Sequence, residues 1–95
     1  MDYVVYKITF PNGKIYIGKD IGGKGHSLRY FGSWSNDLVS QDFNQDELRE
    51  FTLIKTILFE SKSKEEVNQR ENFYIDQLKS NDPKIGYNRT YQKVL

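Results

Sequence analysis

Residues 3–18 leave few alternatives to a β-hairpin. Residues 3–10 are a run of β-branched and aromatic side chains, with Val4, Tyr6, Ile8 and Phe10 on one face of the strand they predict. Pro11-Asn12-Gly13 follows. Pro at the first turn position, Asn next and Gly in the left-handed position predict a type I turn closed by a bulge. Residues 14–18 are then the returning strand. A three-residue loop sets the register, placing Phe10 opposite Lys14, Ile8 opposite Tyr16 and Tyr6 opposite Gly18. Tyr6 and Tyr16 then share a face as diagonal neighbours. A loop one residue shorter would turn Tyr16 to the other side.

The connection over residues 19–33 is basic and carries Gly22, Gly23, Gly25 and Gly32, which argues against a regular helix. Asn44 or Asp46 is placed to cap a short helix predicted near residues 46–50. Residues 51–59, FTLIKTILF, predict a third and largely buried strand. Ser63-Lys64-Glu65-Glu66 has the form of a capping box. A helix should run from there to about Leu78, ahead of the breakers Asn81, Pro83 and Gly86. Its apolar stripe is Val67, Tyr74, Ile75 and Leu78, and Glu71 falls within that stripe at helical spacing. A carboxylate on a core-facing stripe needs a partner, because burying it unpaired is costly. The expected architecture is mixed α/β (α+β): one domain over residues 1–95, with a small three-stranded antiparallel sheet flanked by helices.

Composition narrows the chemistry. A chain of 95 residues leaves much of its surface wet, and 15% aromatics supply core area that few Leu and Ile would otherwise provide. There is no cysteine, hence no disulfide framework or thiolate metal site, and the single His excludes a His-rich zinc site. Nothing at the N-terminus reads as a signal peptide, and no window is long and apolar enough to span a bilayer. A soluble, intracellular (cytoplasmic) chain is expected. Charge is uneven. Residues 3–35 hold five Lys/Arg and one acid, residues 36–60 two Lys/Arg and six acids, and the remainder seven and five. The basic first third suits a local phosphate-contacting surface, and equally a solvated one.

Four segments carry a family resemblance that covers nearly the whole chain: Val4-Val5-Tyr6, Tyr16-Ile17-Gly18, QRENFYI over residues 69–75, and Gly86-Tyr87-Asn88. In this order and spacing they resemble the GIY-YIG nuclease family. The first triplet has Val where the family name has Gly and Ile, and spares the tyrosine. Many members carry an arginine beyond the second tyrosine that is followed, four residues later, by His or Tyr. Here Arg29 lies thirteen residues past Tyr16, and the fourth residue after it is Ser33. Tyr30-Phe31-Gly32-Ser33 looks instead like the Y-x-G-S variant of some phage and mobile-element homing endonucleases.

The resemblance implies a DNA endonuclease of that type, hydrolysing phosphodiesters with Mg²⁺ (Mn²⁺ as a substitute) and with DNA as partner. It makes Tyr6 the general base or water-positioning group, Tyr16 its orienting neighbour, and Glu71 the ligand of one divalent cation. It puts Arg29 on the scissile phosphate and makes Asn88 a hydrogen-bonding support or a phosphate contact. Gly18 would let the DNA backbone approach, and Lys19, His26 and Tyr30 would line the substrate site. The helix should turn the Glu71 carboxylate toward Tyr6 and Tyr16. Singly, these residues have plainer readings. Tyr6 and Tyr16 serve as cross-strand packing, Glu71 as an acid paired with Arg29 or Lys19, Asn88 as a turn residue, and Arg29 and His26 as solvated loop residues. A catalytically inactive domain of the same fold used for nucleic-acid binding or regulation is the main competitor. A repair-type nickase is another.

Overall fold

The strand with apolar residues on both faces lies in the middle. In the computed structural model, which describes residues 2–22, 32, 34 and 36–88, β1 (Tyr3–Thr9) pairs antiparallel with β2 (Ile15–Asp20) on one side and β3 (Ile54–Ser61) on the other. Val4, Tyr6 and Ile8 are buried on one face of β1 and Val5 on the other, so only a central position covers them all. The hairpin forms as the turn chemistry predicts. Gly13 takes φ 89°, Phe10 exchanges backbone hydrogen bonds with Gly13 and Lys14 (both 2.9 Å), and the Asn12 carboxamide oxygen accepts the Lys14 N–H at 3.0 Å. Ile8 faces Tyr16 and Tyr6 faces Gly18, and β2 continues two residues past Gly18.

Two short helices precede β3. α1 (Asn36–Ser40) is absent from the sequence reading, because five residues with only Val39 buried are too few to show a helical period. α2 (Gln45–Arg49) is capped by Asn44 and not Asp46. The Asn44 side chain accepts from the Glu47 N–H and Glu47 accepts from the Asn44 N–H, both at 2.8 Å.

β3 corrects an expectation. It starts at Ile54, not at Phe51, and is only half-buried, with Ile54 58% exposed. Among the described residues β3 pairs with β1 alone, so it is an edge strand. Phe51 and Leu53 enter the core before it begins. The pairing shifts by one residue at Leu58, so that Val5 faces Phe59 and Tyr6 faces Ile57.

α3 (Lys64–Leu78) starts at the predicted cap, with the Ser63 hydroxyl accepting from the Glu66 N–H at 3.2 Å. The returning half of the capping box is not made by Glu66. The Ser61 hydroxyl accepts the Ser63 N–H (3.0 Å) and donates to the Glu66 carboxylate (2.5 Å), a serine relay in place of the direct contact. Val67, Tyr74 and Ile75 dock on Val5 and Ile17, while Val39, Phe43 and Tyr87 cover Val4, Tyr6, Ile8 and Phe10 on the opposite face. Leu78, expected on the same stripe, is 38% exposed. The result is a small α+β domain, with a three-stranded antiparallel sheet between α3 and the segments that follow β2.

Candidate active site

Strand alternation sorts the candidate residues onto two faces. Tyr6, Tyr16, Gly18 and Asp20 share one. The Tyr6 ring lies across Gly18, where an added Cβ would run into the hydroxyl, with Cζ at 2.6 Å. Gly18 therefore makes room for Tyr6, and the space assigned to an approaching DNA backbone is already filled. Gly32, at φ +123°, closes the slot: a Cβ there would stand 2.6 Å from the Tyr16 ring and 2.9 Å from the Tyr6 oxygen. Tyr6 is 1% exposed. Tyr16 is half-buried, edge-on to Trp34 with ring centroids 5.6 Å apart. The Lys55 ammonium sits over the Tyr6 ring, 4.4 Å from its centroid.

Glu71 lies on the other face. Its carboxylate is 3.6 Å from the Lys19 ammonium and the side chain is 21% exposed, while Lys19 also donates to the Asn68 carboxamide oxygen. The expectation that Glu71 faces Tyr6 and Tyr16 is thus overturned. Glu71 shares the stripe of Val67, Tyr74 and Ile75, and that stripe docks on Val5 and Ile17, behind the tyrosines. Of its two candidate partners, Lys19 is in contact, and Arg29 lies outside the described residues. Burial pushes the Glu71 carboxyl above the ordinary carboxylate range, and the Lys19 charge and hydrogen bond only partly oppose this.

Asn88 supports the strand. Its carboxamide accepts the Ile17 N–H and donates to the Ile17 carbonyl, both at 2.8 Å, standing in for a further strand at the outer edge of β2. The preceding residues prepare this. Ile15 bonds to Ile85 (3.1 Å) and Tyr87 (2.9 Å), and the Asn88 N–H bonds to the Ser80 carbonyl (3.0 Å). Arg29, His26 and Tyr30 lie outside the described residues. Among the described residues no three His, Asp or Glu side chains gather as a metal site.

The sequence reading missed a polar cluster behind the hairpin. The Tyr87 hydroxyl donates to Asp42 (2.6 Å) and accepts from Asn12 (3.0 Å), and Lys14 reaches the same Asp42 oxygen at 2.8 Å. Only the aromatic in Gly86-Tyr87-Asn88 hinted at it. The Lys14 and Tyr87 hydrogen bonds hold Asp42 below the usual range. Burial, then the Asp42 contact, pushes Tyr87 from 10.0 up to about 12. The folded chain thus keeps a proton that the unfolded chain releases near pH 10.0, so stability falls as pH rises from there toward about 12. Melting temperatures across that window should fall less steeply for Tyr87→Phe than for the parent. Equal slopes would refute this account.

Compared with protein families, curated proteins and solved structures, the chain matches none. No helix among the described residues is long and apolar enough to cross a membrane.

Proposed function

We propose that this chain is a metal-dependent endonuclease of the GIY-YIG type, hydrolysing DNA phosphodiesters in the manner of the homing and mobile-element members it resembles. One observation carries the reading: the three other motif segments converge on the consecutive residues Tyr16 to Lys19. Tyr6 lies on Gly18, Asn88 clamps Ile17, and Glu71 meets Lys19, beside Tyr16 itself. Packing alone does not require that the four motif segments meet on one stretch of strand.

In this reading the scissile phosphate lies at the end of β2 past the Asn88 clamp, by Gly18 and Lys19, where side chains from both faces can reach it. Tyr16, the more exposed phenol, orients the attacking water, and Tyr6 takes its proton or fixes its position. Lys19 offers a cation to the phosphate, and Asn88 holds the strand that carries both Tyr16 and Lys19. Arg29 is assigned to the phosphate by the resemblance alone.

Glu71 is the residue that would hold Mg²⁺. A hard cation that keeps most of its waters and takes one carboxylate together with substrate phosphates suits a half-buried glutamate. When bound, it supplies stabilisation of charge on the leaving oxygen. The Lys19 contact at 3.6 Å is loose enough to yield.

The test is incubation with supercoiled plasmid. Nicked or linear product is expected with Mg²⁺ and none with EDTA. A folded protein that leaves the plasmid intact with both Mg²⁺ and Mn²⁺ would end the enzyme reading in favour of an inactive binding domain.

A further inference from the structure

Among the described residues β3 pairs with β1 alone, and a lysine on it has solvent within easy reach of its four-carbon stem. Lys55 uses it only in part. Its ammonium stands over the ring of Tyr6, on the buried face that also carries Val4, Ile8 and Ile57. Burial lowers the Lys55 ammonium below the ordinary lysine range, and Asp20 opposes that shift in part. A cation drawn partly out of water onto a phenol face gains from the ring quadrupole. It gains far more when the ring itself is charged. Tyr6 is 1% exposed, so a charge on its oxygen depends on the side chains around it for much of its stabilisation.

We propose that Lys55 is a positioning residue for Tyr6: its ammonium fixes the ring in the slot beside Gly18 and Gly32 and stabilises the phenolate that accepts a proton from the attacking water. The catalytic part rests on the nuclease reading. In that step the water proton goes to the phenolate oxygen and the water oxygen forms the new P–O bond. The bridging P–O bond breaks with its electron pair on the departing oxygen. Among the described residues, the ionisable groups on the Tyr6 face are Tyr16 and Asp20 from β2, Lys55 and Glu60 from β3, and Tyr87 from the segment packed on it. Asp20 and Glu60 disfavour a phenolate, and Lys55 favours one.

Lys55→Met keeps length and loses charge, while Lys55→Arg keeps charge. On supercoiled plasmid with Mg²⁺, Lys55→Met should lower kcat on the order of tenfold and leave KM within about twofold. Its rising pH–rate limb should move to higher pH, and Lys55→Arg should recover most of the rate. Independently of cleavage, NMR titration of ring-labelled tyrosines, with Tyr6 assigned through Tyr6→Phe, should show Tyr6 ionising at higher pH in Lys55→Met. If the parent protein cleaves nothing, the nuclease reading falls and the titration alone decides the Lys55–Tyr6 coupling. A raised KM with unchanged kcat would make Lys55 a phosphate contact and overturn the proposal. So would a Tyr6 titration and pH profile identical to the parent, the mark of a purely structural lysine.

Discussion

Glu71→Gln should abolish plasmid cleavage and at the same time raise the melting temperature at neutral pH. The loss follows from removing the one carboxylate proposed to hold the metal. Metal stabilisation of transition-state charge is worth several kcal/mol, so the rate should fall on the order of a thousandfold or more. The gain in stability follows from burial. Folding raises the Glu71 carboxyl above its ordinary 4.5, with Lys19 offsetting only part of the cost. The folded chain therefore binds this proton more tightly than the unfolded chain does. Stability contributed by Glu71 is present at low pH and is lost as pH rises from 4.5 through the raised value. Gln keeps the shape and cannot ionise, so its advantage should appear at pH 7 and vanish in acid, where the parent carboxyl is protonated. A variant that melts like the parent at every pH would show that Lys19 compensates the buried charge in full. A variant that still cleaves would remove Glu71 from the chemistry. Opposite signs for stability and activity are what a functional carboxylate on an apolar helix stripe requires.

Gly86→Ala should be the most destabilising single methyl addition in the described chain. Its Cβ would stand 2.5 Å from the Ser80 carbonyl, 2.6 Å from the Ile15 carbonyl and 2.7 Å from the Ser80 Cα. All three are backbone atoms, so no rotamer change relieves the clash. The segment must lift from the edge of β2, which endangers the bonds to Ile15 and the Asn88 clamp on Ile17 together. Overpacking and the loss of part-buried hydrogen bonds combine to about 3 kcal/mol. For a domain of this size that is a fall in melting temperature of more than about 10 °C. Gly13→Ala is the control. It shares the glycine-to-alanine change and meets nothing within 4 Å, so its penalty is only that of a left-handed φ of 89°, roughly 1 kcal/mol. Equal melting of the two variants would mean that the close approach at Gly86 contributes nothing.

Much of the fold was legible because local rules suffice for it. Pro11-Asn12-Gly13 selects its turn, the turn sets the register, and the register puts Tyr6 and Tyr16 on one face. Ser63 marks where α3 begins. Glu71 stood out because charge and periodicity disagree there, and its half-buried, Lys19-paired state bears this out. Lys55 gave no such signal. On an edge strand a lysine reads as solvated, and only the placement of Tyr6 beneath it makes it otherwise.

The sequence by itself determined the hairpin with its register, the start of α3 and which residues share their faces, because hydrogen-bonded turns, caps and side-chain alternation depend on residues a few positions apart. The tertiary structure alone decided which face meets which. An apolar stripe is attracted to any apolar surface, so periodicity in α3 says that Glu71 turns inward without saying toward which side of the sheet. The docking of Val67, Tyr74 and Ile75 on Val5 and Ile17 settles that, and sends the carboxylate to Lys19 and away from the tyrosines. The same holds for Asn88, whose bonds to Ile17 span most of the chain and exist only once the segment after α3 has closed over the edge of β2.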